Sequence, residues 1–266
     1  MIGALLGDIS GSRYEWDNIR TKTFPLLDST CYPTDDSIMT LAIAQALIRC
    51  QKSGRDLSQE TVEEMQRWVN LYPDAGYGGY FSKWLRTENP RPYNSFGNGA
   101  AMRVSPCGWA GTSLKEVTQL ARTVTQVSHN HPEALKGAEA VACAIYLARN
   151  GSSKEEIWAY TENHYYPLDF RLEDIRENYR FDVSCQGSVP PAIAAFLEAR
   201  DFSDAIRNAI SIGGDSDTIA AICGSIAEAF YGIPMQLRRE ALTYLEDPEL
   251  LDILQRFEEK YPPKIL

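Results

Sequence analysis

Almost every long patterned segment of this chain spaces its apolar residues at the helical period, and the alternation a half-buried strand requires is close to absent. Over 36–51, Ile38, Leu41, Ala42, Leu47 and Ile48 follow i, i+3, i+4 spacing, and Gly54 closes the segment. Ser113-Leu-Lys-Glu116 and Ser153-Lys-Glu-Glu156 read as capping boxes that open helices. Between them, 132–149 is a second long helix, with Pro132 in its first turn and Gly151 just past its end. Segments 188–199, 204–210, 218–231 and 235–245 complete the set, and 179–184 is the best candidate for a strand. The expected fold is all-α, one compact domain over 1–266 with about ten helices. No repeat, low-complexity tract or linker divides it.

Composition narrows the function classes. The 266 residues are 44% hydrophobic and 23% charged, enough for one substantial core. The start, MIGALLGDISGSRYEW, lacks a basic region ahead of its apolar stretch, so no signal peptide is expected, and no window is apolar enough for a membrane span. Six scattered cysteines without a C-x-x-C pair fit free thiols in a reducing cytoplasm. The net charge of −10 leaves no broad cationic footprint and argues against general nucleic-acid binding. An anionic ligand would need help from metal ions or helix N-termini.

Four segments rich in glycine and small polar residues stand between the helical runs: Gly7–Ser12, Gly76–Gly79, Asn94–Gly99 and Gly213–Thr218. Read as loops, they bring several backbone amides to one cleft. Two acidic motifs add the chemistry, Thr34-Asp35-Asp36 and Asp215-Ser-Asp217-Thr218, each just before a helix. Helix capping needs only one such residue. Two carboxylates and a hydroxyl at each site repel one another unless a cation is present, and hard oxygen donors suit Mg²⁺, Mn²⁺ or Ca²⁺ rather than zinc. Four carboxylates and two hydroxyls cannot fill two octahedral shells. Water or substrate oxygens must complete them, as in a catalytic site, and the vicinal diol of a ribose would fit.

Gly3-Ala-Leu-Leu-Gly-Asp8 leading to Glu15, then Thr34-Asp-Asp36, Gly97-Asn-Gly-Ala-Ala-Met-Arg103 and Gly213-Gly-Asp-Ser-Asp-Thr218 resemble, in that order, the motifs of the ADP-ribosylglycohydrolase family. That family includes the glycohydrolase that reactivates dinitrogenase reductase and the hydrolases of ADP-ribosylated arginine and serine. The resemblance spans about residues 1–235. It implies an all-α domain with two Mg²⁺ (Mn²⁺ in some members) in a cleft, ligated by Thr34, Asp35, Asp36, Asp215, Asp217 and Thr218. By the same likeness Glu15, with Asp36 and Asp215, is catalytic, and Glu15 matches the acid that acts on the water or the ribose. Gly76, Gly78 and Gly79, with Ser95, Phe96, Gly97, Asn98, Gly99 and Met102, would cradle diphosphate and distal ribose. Phe96 would lie against the nucleoside and His129 would face the phosphates.

Plainer readings stand beside these. Glu15 is otherwise a surface acid, Phe96 ordinary core, and His129 a helix cap; His131 and His164 read as structural or exposed, and Tyr77, Trp84 and Trp109 as packing. Ser37 stands where many relatives carry a second threonine, which keeps the hydroxyl. The resemblance implies cleavage of the C1″ bond joining ADP-ribose to a modified protein or small-molecule acceptor. Charge and hydropathy leave no general nucleic-acid or membrane partner expected, and a monomer is the expected state, which the sequence leaves open. Three rivals remain: a module that binds ADP-ribose without turnover, a metal-dependent hydrolase of a free nucleotide or sugar phosphate, and a structural protein on the same fold. The chain is shorter than the longer eukaryotic relatives, which leaves the linkage open.

Overall fold

One buried helix organises the rest. In the computed structural model, which describes residues 1–264 and Leu266, α1 (Ile2–Ser12) has every residue buried. The loop 13–34 leads to α2 (Asp35–Ser53), which packs on α3 (Leu57–Leu71). Three short helices follow, α4 (Gly79–Leu85), α5 (Gly99–Met102) and α6 (Ser105–Ala110). Next, α7 (Leu114–Gln126) packs on α8 (Pro132–Arg149), followed by α9 (Lys154–His164) and the single turn α10 (Leu172–Ile175). The chain continues through α11 (Cys185–Leu197), α12 (Phe202–Ser211) and α13 (Ser216–Tyr231), which pack on one another. It closes with α14 (Met235–Leu242) and α15 (Pro248–Lys260), the last lying on α2.

The all-α expectation holds, in a single domain with one continuous apolar core, but the helix count rises from about ten to fifteen among the described residues. Part of the shortfall is α4, α5, α6 and α10, too short to show a period. Two more, α3 and α15, announce themselves by their caps: Asp56 accepts from the Gln59 amide, and Asp247 precedes Pro248 and accepts from the Glu249 amide. The segment Gly7–Ser12, expected as a loop, is the second half of α1, and the loop carrying Glu15 begins after Ser12. Because α1 is buried all round, it has no polar face to display a period.

Its glycines serve packing instead. A methyl carbon on Gly7 would lie 2.0 Å from the Ala220 carbonyl oxygen, and one on Gly11 2.5 Å from Asp217 Cα, so α1 and α13 meet backbone to backbone. The 179–184 segment is not a strand. Among the described residues no strand forms, and an isolated antiparallel bridge joins Gly97 to Ser184. The Ser153 capping box is complete, whereas at Ser113 only half forms: Ser113 accepts from the Glu116 amide, but the Glu116 carboxylate takes the Thr112 amide at 2.8 Å. Gly54 does end α2 in the left-handed conformation, φ 67°. All six cysteines are free, and no described helix is long and apolar enough to cross a membrane.

Candidate active site

The two acidic motifs, some 180 positions apart in sequence, meet at the N-termini of α2 and α13. Thr34 caps α2, accepting from the Asp36 amide at 3.2 Å, so Asp35 and Asp36 occupy the first turn. Across the cleft, Gly213 and Gly214 (φ 68° and 77°) turn the chain into α13 and place Asp215 at its N-cap, with Asp217 and Thr218 just inside. The Thr218 hydroxyl donates to Asp36 Oδ2 at 3.2 Å and ties the motifs together. Asn98 Nδ2 donates to Asp215 Oδ2 at 2.7 Å and to Ser188 Oγ at 3.0 Å. The positive ends of both helix dipoles point at this cluster.

Behind the first motif lies a residue to which the sequence assigned no role. Asp8 of α1 is fully buried and accepts from the Thr34 amide at 2.9 Å, the Thr34 hydroxyl at 2.7 Å, the Ser37 amide at 3.0 Å and the Ser37 hydroxyl. It therefore caps α2 from another helix and fixes the direction in which the Thr34 hydroxyl offers its free lone pair. With Gly11 against Asp217, α1 becomes the strut that sets the spacing of the two motifs. The sequence signals were an acid inside an apolar run and its place at the end of the Gly3–Asp8 motif, neither of which told its role.

Carboxylate crowding shows in the electrostatics. One oxygen each from Glu15, Asp215 and Asp217 lie within 4.8 Å of one another. Asp36 Oδ1 and Asp217 Oδ1 are buried with no hydrogen-bond partner among the described residues. Burial, then repulsion from neighbouring acids, raises Asp35, Asp36 and Asp217 well above the usual carboxylate range. Half-buried Glu15 is pushed up to about 7 by burial and then by Asp215 and Asp8. Burial raises Asp8 to about 6 against the pull of its four hydrogen bonds.

A cleft of about 450 Å³ opens over this cluster. Of the residues singled out from sequence, Glu15, Asp35, Asp36, Asp215, Asp217 and Thr218 line its floor, and Gly76, Gly78, Gly79, Ser95, Gly97, Asn98, Gly99, Met102 and His129 line the rest. Thr34 is buried and is not among the lining residues. Phe96 is not among the lining residues; it is 48% exposed with its edge against His131. The helix cap in this region is His131, which accepts from the Glu133 amide and starts α8, so His129 is left to the cleft wall. His164 is exposed against Tyr160, while Trp84 and Trp109 are core.

The cleft also has an aromatic rim that periodicity did not reveal. Trp16, 79% exposed, stacks on Phe181 with centroids 5.1 Å apart and planes at 22°, and both line the opening beside Glu15; exposed Tyr80 and Val183 join them. An exposed tryptophan directly after Glu15 was the available signal. A wider hollow of about 690 Å³, lined by Lys136, Tyr166, Phe170, Tyr179, Pro190 and Pro191 among others, holds none of the acidic motif residues.

With this geometry in view, comparison with known proteins is decisive: the sequence model of the ADP-ribosylglycohydrolase family matches residues 1–264. The chain belongs to that family. It is 27% identical to ADP-ribosylhydrolase ARH3 of Bos taurus, over 98% of this chain and 92% of the relative. It is 26% identical to an ADP-ribosylarginine hydrolase of Pseudomonas putida, over 82% of this chain and 59% of that protein. A solved structure described as an ADP-ribosylglycohydrolase-related protein complex superposes with a TM-score of 0.71 at 26% identity, covering 96% of this chain and 95% of its own. The family's helical fold is thus the fold of this glycohydrolase.

Proposed function

We propose that this family member hydrolyses the C1″ glycosidic bond between ADP-ribose and an acceptor, using two divalent cations, Mg²⁺ or Mn²⁺, held by the two acidic motifs. The observation that carries the reading is the convergence of Glu15, Asp215 and Asp217, with Asp36 joined through Thr218, and with two buried carboxylate oxygens that have no hydrogen-bond partner among the described residues. Buried unpartnered acceptors cost free energy, and a hard cation is the partner that an all-oxygen set suits. Thr34, Asp35, Asp36, Asp215, Asp217 and Thr218 would hold the cations, with Glu15 within reach. Such ions supply Lewis acidity, an activated water and an anchor for a ribose diol.

The chain's own groups do the rest. The half-buried Glu15 carboxylate, which lines the cleft beside Asp215 and Asp217, can take a proton from water at one of its oxygens, with Asp36 and Asp215 stabilising the positive charge that develops on the sugar ring. The loops 76–79 and 97–99 line the same cleft, and there the diphosphate and distal ribose would lie. Asn98, bonded to Asp215, keeps that carboxylate aimed at the cleft. On the acceptor side, the acidic floor and the open indole of Trp16 favour a cationic nitrogen acceptor over a neutral hydroxyl. The partner is then an ADP-ribosylated protein or small molecule, met by a monomer in the cytoplasm.

A panel of defined conjugates tests this, with arginine, serine, nucleobase and acetyl-ester linkages and with free ADP-ribose measured as product. Release from at least one linkage, abolished by chelation, is expected. ADP-ribose binding without release from any conjugate would make the chain a binding module, and turnover of mononucleotides alone would make it a phosphate hydrolase.

A further inference from the structure

His129 sits behind the Gly97–Gly99 loop with its two ring nitrogens in different surroundings. A methyl carbon placed on Gly99 would lie 3.3 Å from Nε2 and one on Gly97 3.7 Å, so Nε2 is the nitrogen turned to the cleft loop. Among the described residues Nε2 has no hydrogen-bond partner, although the ring lines the cleft. Nδ1 faces inward, 2.8 Å from Ser128 Oγ and 3.5 Å from Arg103 Nη2.

The donors on that inner side fix the proton. A guanidinium only donates, so Arg103 Nη2 gives its hydrogen to Ser128 Oγ at 2.9 Å. Ser128 Oγ has one hydrogen of its own to give and Arg103 Nη2 a second, so two donors converge on Nδ1, and a bare Nδ1 is the form that accepts from both. A nitrogen that accepts carries a lone pair, so the proton of the neutral ring is on Nε2. Protonating Nδ1 would set an N–H against the Arg103 guanidinium, which has no lone pair to accept it. Burial, then the Arg103 charge, keeps the imidazole pKa well below its usual value, in agreement with the geometry.

Arg103 is itself unusual. It is fully buried, no carboxylate lies within ion-pairing distance among the described residues, and its Nε and Nη1 have no partner there. Its guanidinium rests 5.1 Å from the Phe81 ring centroid, and Phe81 also lines the cleft. A buried cation without a counter-charge is costly, and an anion across a thin wall would offset that cost.

We propose that Arg103 and Ser128 are positioning residues that hold His129 as its neutral Nε2–H tautomer, which presents a fixed donor to an anionic oxygen of a diphosphate in the cleft. The identity of that oxygen rests on the ADP-ribose reading above; the tautomer does not.

Ring-nitrogen NMR of protein carrying ¹⁵N-histidine reads the tautomer directly, with only three histidines to resolve. In the wild type, His129 shows a protonated Nε2 and a bare Nδ1 from mildly acidic to mildly basic pH, and ADP-ribose shifts the Nε2–H signal. Ser128→Ala and Arg103→Met each release the lock, giving mixed tautomers. ADP-ribose affinity falls about tenfold or more, the worth of a hydrogen bond to a charged group, while affinity for adenosine, which lacks the diphosphate, is unchanged. Arg103→Lys, which restores the charge, recovers part of the loss. Should Arg103→Met fail to fold, Ser128→Ala carries the test. An Nδ1–H ring or an imidazolium in the wild type overturns the proposal, as do variants whose ring stays as in the wild type. A locked ring untouched by bound ADP-ribose overturns the diphosphate contact. A locked ring in a protein that binds no ADP-ribose refutes the proposed function, and the diphosphate acceptor with it.

Discussion

Removing the cation and raising the pH should strain the metal-free protein at one place, the junction of α2 and α13. Two unit charges 4.8 Å apart, the outer separation within the Glu15, Asp215 and Asp217 group, repel by about 3.5 kcal/mol at an effective dielectric of ~20. Three such pairs cannot all stand ionised cheaply, and burial, the larger cause at Glu15 and the raising cause at Asp8 behind them, adds to the cost of charge, so protons are held. Glu15 titrates near 7 against an ordinary 4.5, and Asp8 near 6 against 3.8. Between about pH 4 and 7 the folded chain therefore keeps protons that the unfolded chain has released. The stabilising contribution is full below pH 4 and is lost as pH rises through 6 and 7. For fully buried Asp8 alone the difference is on the order of 3 kcal/mol. Metal-free protein should thus melt lower at pH 8 than at pH 5. Mg²⁺ demands ionised carboxylates, so its stabilisation should grow over the same interval. At ~100 times its dissociation constant it adds about 2.7 kcal/mol, or roughly 5–8 °C for a domain of this size. Asp217→Asn removes one like charge at an oxygen that has no hydrogen-bond partner among the described residues. It should raise the melting temperature in EDTA at pH 8 by a few degrees and lose most of the Mg²⁺ shift. Scanning calorimetry of both proteins, with EDTA and with Mg²⁺ at the two pH values, decides the matter. An Asp217→Asn protein that melts below the wild type in EDTA, or that keeps the full Mg²⁺ shift, would refute the reasoning.

Glu15→Gln should lower turnover by ~10²–10⁴-fold while ADP-ribose affinity, followed by calorimetric titration, falls far less; wild-type turnover would return Glu15 to the status of a surface acid. Gly7→Ala forces a methyl carbon to within 2.0 Å of the Ala220 carbonyl oxygen, so urea unfolding should show a loss of ~3 kcal/mol; no loss would mean that α1 can move away from α13 freely. Trp16→Ala removes a side chain that is 79% exposed, so thermal stability should hardly change while kcat/KM falls for conjugates with a cationic acceptor more than for an acetyl ester. Equal losses across the panel would separate the Trp16–Phe181 rim from acceptor choice.

The sequence by itself determined what short-range interactions determine. Helix period, the caps at Ser153 and Thr34 and the stop at Gly54 all act over three or four residues, and each can be read in place. The acidic motifs were legible for the same reason: adjacent carboxylates at a helix start are a local conflict whatever the fold. Residues that play no part in a local pattern stayed hidden. Seen in sequence, Gly7 and Gly11 suggest a loop, and only the approach of α13 makes them an interface of a buried helix. Asp8 is an acid in an apolar run until Thr34 and Ser37 surround it. Trp16 meets Phe181, and the proton on His129 is assigned, only through partners brought together by the packing of distant segments. Tertiary structure decided those points because burial removes water as an alternative partner. A buried carboxylate, guanidinium or imidazole must then take its bonding from whichever distant residues the packing places beside it.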